Sequence, residues 1–453
     1  MKVLLKHKFK IILLALILLG LAFVLKNCNK RTFIILEQGD VLIVPLSQNI
    51  AEKSVRRPVS VGFYDQISNK TFVSYLGKNS NPFVQEFNHN NDSWSEPKQV
   101  GDITQSKSYT KPDRHNYPSL IKLENGQLAS FYAEHADELR ITTSPKANSI
   151  KGRWNDRKIP EAEYAAYPMP FKTQNGDIYV FYRESSYGFN PELDRDDRPV
   201  QYIVSSDNAK TWLRSSQIIA EKIAIGSWDR KDNLDEIYIG QIRYQKPEAG
   251  ISERFHIVWT LSGGGFEGPK HDRYHKNVYY SYFLPENKHF YCVDGNDLGF
   301  SISADEMDNC LVEDSGPMDK NSPFAIDYLQ LVSFSSKAKP VLVYRMHKGN
   351  KSWLRSSLWD GKKWQYRLIE SNNDPMDIER LDNDSFALYM GNGHIFVSHD
   401  AGYNWQKATS FKLPQNKKID KIALIENYRD PARLIISEQS NNRRDIFLLG
   451  FAR

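Results

Sequence analysis

Cysteine is scarce in this sequence: there are three in 453 residues, one of them beside the N-terminal apolar segment. The other two, Cys292 and Cys310, are too few to form a disulfide scaffold. They could form one disulfide, bind a metal or stay as free thiols. His271, His275 and His289 lie close enough in sequence to offer nitrogen ligands for a tetrahedral zinc site. The sequence alone leaves these alternatives open.

Charge of one sign is also low. The chain has 60 Lys and Arg against 55 Asp and Glu, a formal net charge of +5. No run of basic residues beyond the N-terminus is long enough to predict a nucleic-acid track. The sequence therefore disfavours a nucleic-acid partner, while an anionic polymer bound at a local patch stays compatible with it.

Only one long hydrophobic run is present, from Ile11 to Leu25, and four lysines precede it. This is the pattern of a secretory n-region and h-region. Fifteen apolar residues are short for a membrane span, yet no small-x-small cleavage site follows. Residues 1–30 are therefore predicted to be an uncleaved signal anchor that contacts the membrane, or a cleaved signal peptide. Either way, we expect the remaining chain to be exported, to the periplasm or the exterior.

Amphipathic helical periodicity is lacking, and strand patterns are present instead. Asn125-Gly126 and Asn175-Gly176 each separate two apolar runs, which is the strongest short hairpin signal. Such units recur at roughly 50-residue spacing, a period typical of propeller blades. Residues 31–453 are predicted to form one all-β domain, a seven-bladed (alternatively six-bladed) β-propeller of four-stranded antiparallel blades. Residues 33–44 are expected to close the ring against residues 445–451.

Two stretches share the pattern Ser-x-Asp-x-(Gly/Ala)-x-x-Trp, SSDNAKTW and SHDAGYNW. A short acceptor side chain and a small residue suit a tight turn between strands, and the following tryptophan can pack beneath that turn. Ala209 stands where the second copy has glycine. The box residues are Ser205, Asp207 and Trp212 in the first copy, and Ser398, Asp400, Gly402 and Trp405 in the second. A looser third copy is SLWDGKKW.

These stretches resemble the Asp-box (BNR) repeat of sialidase-like β-propellers. In that family the boxes lie away from the active face, so the resemblance implies a structural role for Asp207 and Asp400. Function must therefore be sought elsewhere in the chain.

Four residues stand at the ends of two consecutive hairpins. His115 precedes and His135 follows the first hairpin, while Tyr167 and Arg183 flank the second. Successive blades should bring these ends together near the axis. This set contains two imidazoles, a phenol and a guanidinium but no pair of carboxylates. Ordinary glycoside hydrolysis uses two carboxylic acids, so the set disfavours that reaction. The set suits β-elimination on a uronic-acid polymer, in which a cation binds the carboxylate, a base removes the α-proton and an acid protonates the leaving oxygen.

In this region the chain resembles the BNR-repeat polysaccharide lyases with seven-bladed propellers, such as the ulvan lyases. The resemblance depends on the order of five motifs along the chain. These are His-x-x-Pro-Ser, a second His, Tyr-Pro, Phe-Tyr-Arg and an Asp box. It implies catalytic roles for His115, Tyr167 and His135, and substrate binding by Arg183 and Tyr238.

The same resemblance implies a structural zinc held by Cys and His, for which Cys292, Cys310 and His271 are the candidate ligands. It implies no cofactor in catalysis and an anionic polysaccharide as the partner.

Two other functions stay open. A sialidase would need an arginine triad, an early Arg-Ile-Pro segment and a Tyr/Glu nucleophile pair, and the nearest segment, RKIPEAEY, lacks that order. A non-catalytic carbohydrate-binding propeller would use the 9 Trp and 24 Tyr as stacking surfaces.

Overall fold

The structure, a computed structural model, is an all-β fold. It describes residues 40–51, 61–105, 115, 117–133, 137–185, 189–190, 195–219, 223–227, 230–248, 250–268, 270–382, 384–441 and 443–452. The predicted signal or anchor at residues 1–30 lies outside this set. Within the set, no helix has both the length and the hydrophobicity needed to cross a membrane.

The strands of the first half are β1 (Val41–Ala51), β2 (Gly62–Asp65), β3 (Lys70–Leu76), β4 (Pro82–Asn88), β5 (Ser93–Trp94), β6 (Lys98–Gln99), β7 (Ser119–Lys122), β8 (Leu128–Tyr132), β9 (Leu139–Thr143), β10 (Asn155–Ile159), β11 (Ala165–Lys172), β12 (Ile178–Glu184), β13 (Phe189–Asn190), β14 (Arg195–Asp196), β15 (Val200–Ser205) and β16 (Leu213–Arg214). A short helix, α1 (Ser215–Ile219), follows β16.

The strands of the second half are β17 (Glu236–Gln245), β18 (Arg254–Gly263), β19 (Tyr274–Leu284), β20 (His289–Tyr291), β21 (Asp297–Gly299), β22 (Leu311–Glu313), β23 (Leu331–Phe334), β24 (Pro340–Lys348), β25 (Lys351–Trp359), β26 (Trp364–Ile369), β27 (Pro375–Arg380), β28 (Phe386–Met390), β29 (His394–Ser398), β30 (Gln406–Ser410), β31 (Ile419–Arg429), β32 (Ala432–Glu438) and β33 (Arg444–Phe451).

The sheets follow one another in chain order. Four have four strands each: β7 to β10, β11-β12-β15-β16, β23 to β26 and β27 to β30. A six-stranded sheet runs from β17 to β22, and β13 pairs with β14. The remaining nine-stranded sheet joins two antiparallel groups, β1-β33-β32-β31 and β2 to β6, through one parallel bridge between Phe63 and Glu426.

The first strands of neighbouring sheets lie side by side. β2 contacts β7, β7 contacts β11, β17 contacts β23, β23 contacts β27, β27 contacts β31, and β31 returns to β2. The core lies between adjacent sheets, as in the cluster that joins Ile141, Ile178 and Trp212. Residues at the ends of the first strands therefore converge from several sheets on one region.

The predicted hairpins and the pairing of the two termini are confirmed. Asn125-Gly126 lies between β7 and β8, and Asn175-Gly176 lies between β11 and β12. β1 pairs with β33 from Val41 opposite Phe451 to Ala51 opposite Arg444. Residues 33–39 of the predicted closing segment lie outside the described part.

Each Asp box has the same hydrogen bonds. The Ser205 hydroxyl donates to Asp207 at 2.8 Å, and the Ala209 amide donates back to Ser205 at 3.0 Å. Burial opposes ionisation of Asp207, but bonds from Thr211, Ser205 and the Lys210 amide outweigh it and lower its pKa to about 2. In the second box, the hydroxyl of Ser398 donates to Asp400 at 2.9 Å and the Gly402 amide donates to Ser398 at 2.8 Å.

The two boxes differ in how their tryptophans pack. Trp212 is buried edge-on against Phe131, at 5.8 Å between ring centroids. Trp405 is half-buried, and its indole Nε1 donates to the Gly402 carbonyl at 2.9 Å. Within the described residues, no box residue lines the cavity described next.

Candidate active site

A cavity of about 550 Å³ lies where the beginnings of the first strands converge. Its wall includes four residues predicted from the hairpin pattern and the family resemblance, His115, Tyr167, Arg183 and Tyr238. The other lining residues are Arg198, His271, Asp272, Asp327, Tyr328, Leu329, Arg345, His347, Asp374 and Pro375. His135 lies outside the described residues.

Tyr167 stands on a break in the regular pairing of β11 with β12. Ala166 pairs with Arg183 and Met169 with Phe181, so Tyr167 and Pro168 form an irregular step between them. The φ angle of Tyr167 is 58°, a left-handed conformation that is uncommon for a residue with a bulky side chain. Such bulges redirect a side chain next to active sites. Here the phenol, with only 5% of the residue exposed, is turned into the cavity wall.

Arg183 lies between two tyrosine rings. Its Cζ atom is 4.7 Å from the ring centroid of Tyr167 and 4.9 Å from that of Tyr238. Burial alone would lower the pKa of Arg183, but Tyr167, Tyr238 and Glu236 raise it above its ordinary value. A permanently charged, planar guanidinium is therefore fixed in the wall of the cavity.

His115 stands beside Tyr167, with 5.6 Å between their ring centroids. The Tyr117 ring also stacks on the Tyr167 ring, with 5.9 Å between their centroids. The segment that leads into β7 therefore contacts the bulge of β11 from the neighbouring sheet. The structure brings His115, Tyr167 and Arg183 together as the hairpin ends predict.

Tyr238 lies between Arg183 and the residues of the opposite cavity wall. Burial raises the pKa of Tyr238, and the nearby Arg183 only partly offsets this. Next to it, the fully buried Glu236 accepts hydrogen bonds from the Nδ1 atom of His271 at 2.8 Å and from the Asp272 amide at 3.1 Å. His271 is thereby held at the cavity and not as a partner of the cysteines.

Asp272 connects two further rings of the opposite wall. Its Oδ1 is 2.6 Å from Nε2 of the buried His275, and its Oδ2 accepts a hydrogen bond from Tyr328 at 2.9 Å. Burial opposes ionisation, yet the bonds from His275 and Tyr328 lower the pKa of Asp272 well below its usual value. The carboxylate is therefore ionised and engaged on both oxygens.

Sequence reasoning missed most of this opposite wall. Arg345 is buried against Asp374, with Nε 3.2 Å from Oδ1, and His347 lies 2.8 Å from Asp327. One signal was available. Arg345 ends a Val-Tyr-Arg segment of β24 just as Arg183 ends Phe-Tyr-Arg in β12, each in the second strand of its sheet.

The residues present do not fit the predicted zinc site. Cys292 and Cys310 are buried together with their sulfur atoms 3.5 Å apart, as two free thiols. Hydrogen bonding between them lowers the pKa of Cys292 and raises that of Cys310. His271 binds Glu236 instead, and the described residues contain no group of three or more His, Cys, Asp or Glu side chains that could hold a metal.

Residues 70–374 match the family described as BNR repeat-containing family member. An ulvan lyase of Alteromonas sp. (strain LOR) is 23% identical over 441 residues, which is 88% of this chain and 86% of that protein. The PL25 ulvan lyase of Pseudoalteromonas sp. (strain PLSV) is 21% identical over 84% of this chain and 80% of its own length.

A solved structure has the same fold. It is a PL25 ulvan lyase bound to -[GlcA(1-4)Rha3S]-, which superposes with a TM-score of 0.68 at 17% identity over 89% of this chain and 96% of that one. A second polysaccharide lyase, Uly1, superposes with a TM-score of 0.56 at 12% identity over 88% and 91% of the two chains.

Proposed function

The chain belongs to the BNR repeat-containing family, and from this membership and the cavity chemistry we propose that it is a polysaccharide lyase. Its substrate is a uronic-acid-containing polysaccharide, which it cleaves by β-elimination. The similarity to ulvan lyases along most of the chain supports this proposal.

One observation carries the proposal most directly: a permanently charged guanidinium is fixed in the cavity wall between two phenols. Arg183 contacts Tyr167 on one side and Tyr238 on the other. A planar guanidinium can bind both oxygens of a carboxylate. When Arg183 binds the uronate carboxylate, it stabilises the negative charge that develops when the neighbouring carbon loses its proton.

The proton steps fall to the groups beside Arg183. Acting as a phenolate beside the charged Arg183, the Tyr167 oxygen removes the proton α to the carboxylate, and the electron pair released forms a carbon–carbon double bond. The bond from the adjacent carbon to the glycosidic oxygen then breaks, and that oxygen takes up the proton from Tyr167. His115, at 5.6 Å from the Tyr167 ring, binds the substrate next to the reacting carbon. His135 is proposed as the second imidazole.

The carboxylates of the cavity argue against hydrolysis. An inverting or retaining glycosidase needs one carboxylic acid and one free carboxylate across the bond. Asp272 is engaged by His275 and Tyr328, Asp327 by His347, and Asp374 by Arg345. Because each of the three carboxylates is bound to a neighbouring side chain, this set supports structural roles for all three.

A sialidase is the second candidate, and one observation favours it. Three arginines line the cavity, Arg183, Arg198 and Arg345, which is the number a sialidase uses on its carboxylate. A sialidase also needs a nucleophilic tyrosine. The buried Tyr238 lies two residues after Glu236 in sequence, but its raised pKa opposes a nucleophilic phenolate.

We also propose that each antiparallel group except the two-stranded β13-β14 pair is one blade, which gives a seven-bladed propeller when the two groups of the nine-stranded sheet are counted separately. Residues 1–30 are proposed to direct export of the enzyme, as a signal anchor or signal peptide.

The decisive experiment follows the ultraviolet absorbance of unsaturated uronate when the protein is incubated with ulvan and a panel of other uronate polysaccharides. A lyase raises the absorbance as chains shorten. Chain shortening without absorbance would indicate a hydrolase, and release of sialic acid from a sialoglycan would indicate the second candidate. Binding without either product would leave a non-catalytic carbohydrate-binding propeller.

A further inference from the structure

Two exposed aromatic rings lie beside the cavity, since Tyr328 lines it and Phe324 contacts Tyr328. Phe324 is 39% exposed and Tyr328 is 37% exposed, and their ring centroids are 6.1 Å apart at an interplanar angle of 38°. We call these two residues the aromatic shelf. Large side chains exposed together beside a polar cavity commonly mark a binding surface, because leaving them in water is unfavourable.

The shelf is supported by a hydrogen-bonded pair, the half-buried Asp272 and the buried His275. The Tyr328 hydroxyl donates to Asp272, which also binds Nε2 of His275 at 2.6 Å. The His275 ring is fully buried and contacts the Tyr328 ring edge-on, at 4.1 Å between centroids. It also lies 5.0 Å from the Phe324 ring. Both exposed rings therefore rest on one fixed imidazole.

The backbone of the shelf is fixed as well. The His275 amide donates to the Pro323 carbonyl at 2.9 Å, and the Ala325 amide donates to the His275 carbonyl at 3.0 Å. The segment thus pairs with the start of β19 on both sides of Phe324. A ring held in this way loses little conformational freedom when a ligand stacks on it, which favours binding.

A series of contacts connects Arg183 to the aromatic shelf. Arg183 is 4.9 Å from the Tyr238 ring, and the Tyr238 ring is 5.4 Å from the Tyr328 ring. Phe324 is the next ring outward. A polysaccharide whose uronate carboxylate is bound by Arg183 would therefore reach the shelf with a neighbouring sugar.

The negative charge of Asp272 limits which kind of sugar can bind at the aromatic shelf. Asp272 is ionised, since its hydrogen bonds hold its pKa well below the usual range. Its carboxylate accepts the hydrogen bond of the Tyr328 hydroxyl, so its negative charge disfavours a second carboxylate at this position, while the exposed rings favour the CH-rich face of a pyranose.

We propose that Phe324 and Tyr328 form a subsite that stacks against a non-uronate sugar next to the uronate bound by Arg183. The inference rests on the proposed lyase function and extends it: Phe324 and Tyr328 determine which sugar is bound beside the uronate.

The test compares Phe324→Ala with Phe300→Ala, using ulvan as the probe. Phe300 is a matched control, because it is 40% exposed and packs edge-on against His289 at 4.5 Å, whereas Phe324 contacts the cavity-lining Tyr328. Phe324→Ala should raise KM for ulvan by about tenfold with kcat nearly unchanged, since only a stacking contact is lost. Phe324→Tyr should behave like the wild type, and Phe300→Ala should change neither constant.

Electrophoresis of each protein through a gel that contains ulvan measures binding without catalysis. It therefore tests the subsite separately from the lyase function. A wild type that releases no unsaturated uronate but is retarded, with retardation lost only in Phe324→Ala, would overturn the lyase function and keep the subsite. A folded Phe324→Ala protein with wild-type KM and wild-type retardation would overturn the subsite and keep the lyase.

Discussion

The hydroxyl of Ser119 donates a hydrogen bond of 2.8 Å to the carbonyl oxygen of Pro168, and both residues are in neighbouring sheets. Ser119 is fully buried at the first position of β7, four residues after His115. Pro168 belongs to the bulge that gives Tyr167 its left-handed φ of 58°. One buried hydrogen bond therefore fixes the bulge of Tyr167 against the strand that follows His115.

The first prediction is that Ser119→Ala lowers kcat by about 10–100-fold with little change in KM, because a small displacement of the proton-transfer group is costly. Ser130→Ala is the matched control. Ser130 is a buried serine of β8 in the same sheet whose hydroxyl has no hydrogen-bond partner among the described residues. Steady-state kinetics and thermal melting of both variants provide the measurement. Equal kinetic effects in the two variants would contradict a positioning role for Ser119.

The sequence could predict which hairpin ends carry the site but not how Tyr167 is oriented. Alternation of apolar residues places Tyr167 near the end of a strand, while the bulge depends on contacts from another sheet, such as Ser119 with Pro168. The opposite wall was missed for a related reason. Asp327 and Asp374 precede first strands without an Asn-Gly turn, and their partners, His347 and Arg345, lie on β24, at least 20 residues away in sequence.

Tyr167→Phe removes one hydroxyl and keeps the ring contacts with His115 and Arg183. We expect kcat to fall by about 10²–10⁴-fold, the usual contribution of a general acid-base group, with the melting temperature unchanged. His115→Ala should also lower kcat, and the double variant should be little worse than either single one, because groups that act as one unit are not additive. A folded Tyr167→Phe protein with turnover within a few-fold of wild type would exclude Tyr167 as the base.

Arg183→Lys keeps the positive charge but removes the planar fork and the stacking between two tyrosine rings. We therefore expect that lysine does not restore activity, and that both KM and kcat deteriorate relative to wild type. Kinetics on ulvan at low and moderate salt would separate charge from geometry, since screening weakens simple charge attraction. If Arg183→Lys retained wild-type constants, a point charge alone would be sufficient at this position.

Local turn chemistry was the part of the fold most readable from sequence. The Asn-Gly turns and the Asp boxes rest on residues within a few positions of one another, so their spacing is visible in the chain. The zinc prediction depended instead on where His271 points. Its Nδ1 atom binds Glu236, which is 35 positions away, and no pattern near Cys292 or Cys310 indicates that contact.

Asp272→Asn tests the support of the aromatic shelf through pH. The folded protein holds the pKa of Asp272 below its value of about 3.9 in an unfolded chain, so the carboxylate stabilises the fold above that value and loses this contribution as pH falls. We expect Asp272→Asn to cost about 1–3 kcal/mol at pH 7. The difference from wild type should shrink in urea unfolding carried out well below the unfolded-state pKa. The control is Asp305→Asn, which changes an exposed carboxylate without a hydrogen bond or ion pair among the described residues. A stability difference between Asp272→Asn and wild type that persisted in acid would contradict ionic support by Asp272.

The two Asp boxes provide a final, reciprocal prediction about stability. Ala209 has a φ of 66° where the second box has Gly402 at 89°, and a left-handed conformation costs an L-residue about 1–2 kcal/mol. Glycine loses about 0.5–1 kcal/mol more backbone entropy on folding, so Ala209→Gly should be neutral or stabilising by up to about 1 kcal/mol. Gly402→Ala should destabilise by about 1–3 kcal/mol, because the new Cβ would lie 2.8 Å from Leu358 and 2.9 Å from Val341. Urea unfolding of both variants provides the measurement, with activity per folded molecule expected to stay unchanged because neither residue lines the cavity. A clear loss of stability in Ala209→Gly would show that the packing of its buried methyl group outweighs the backbone strain.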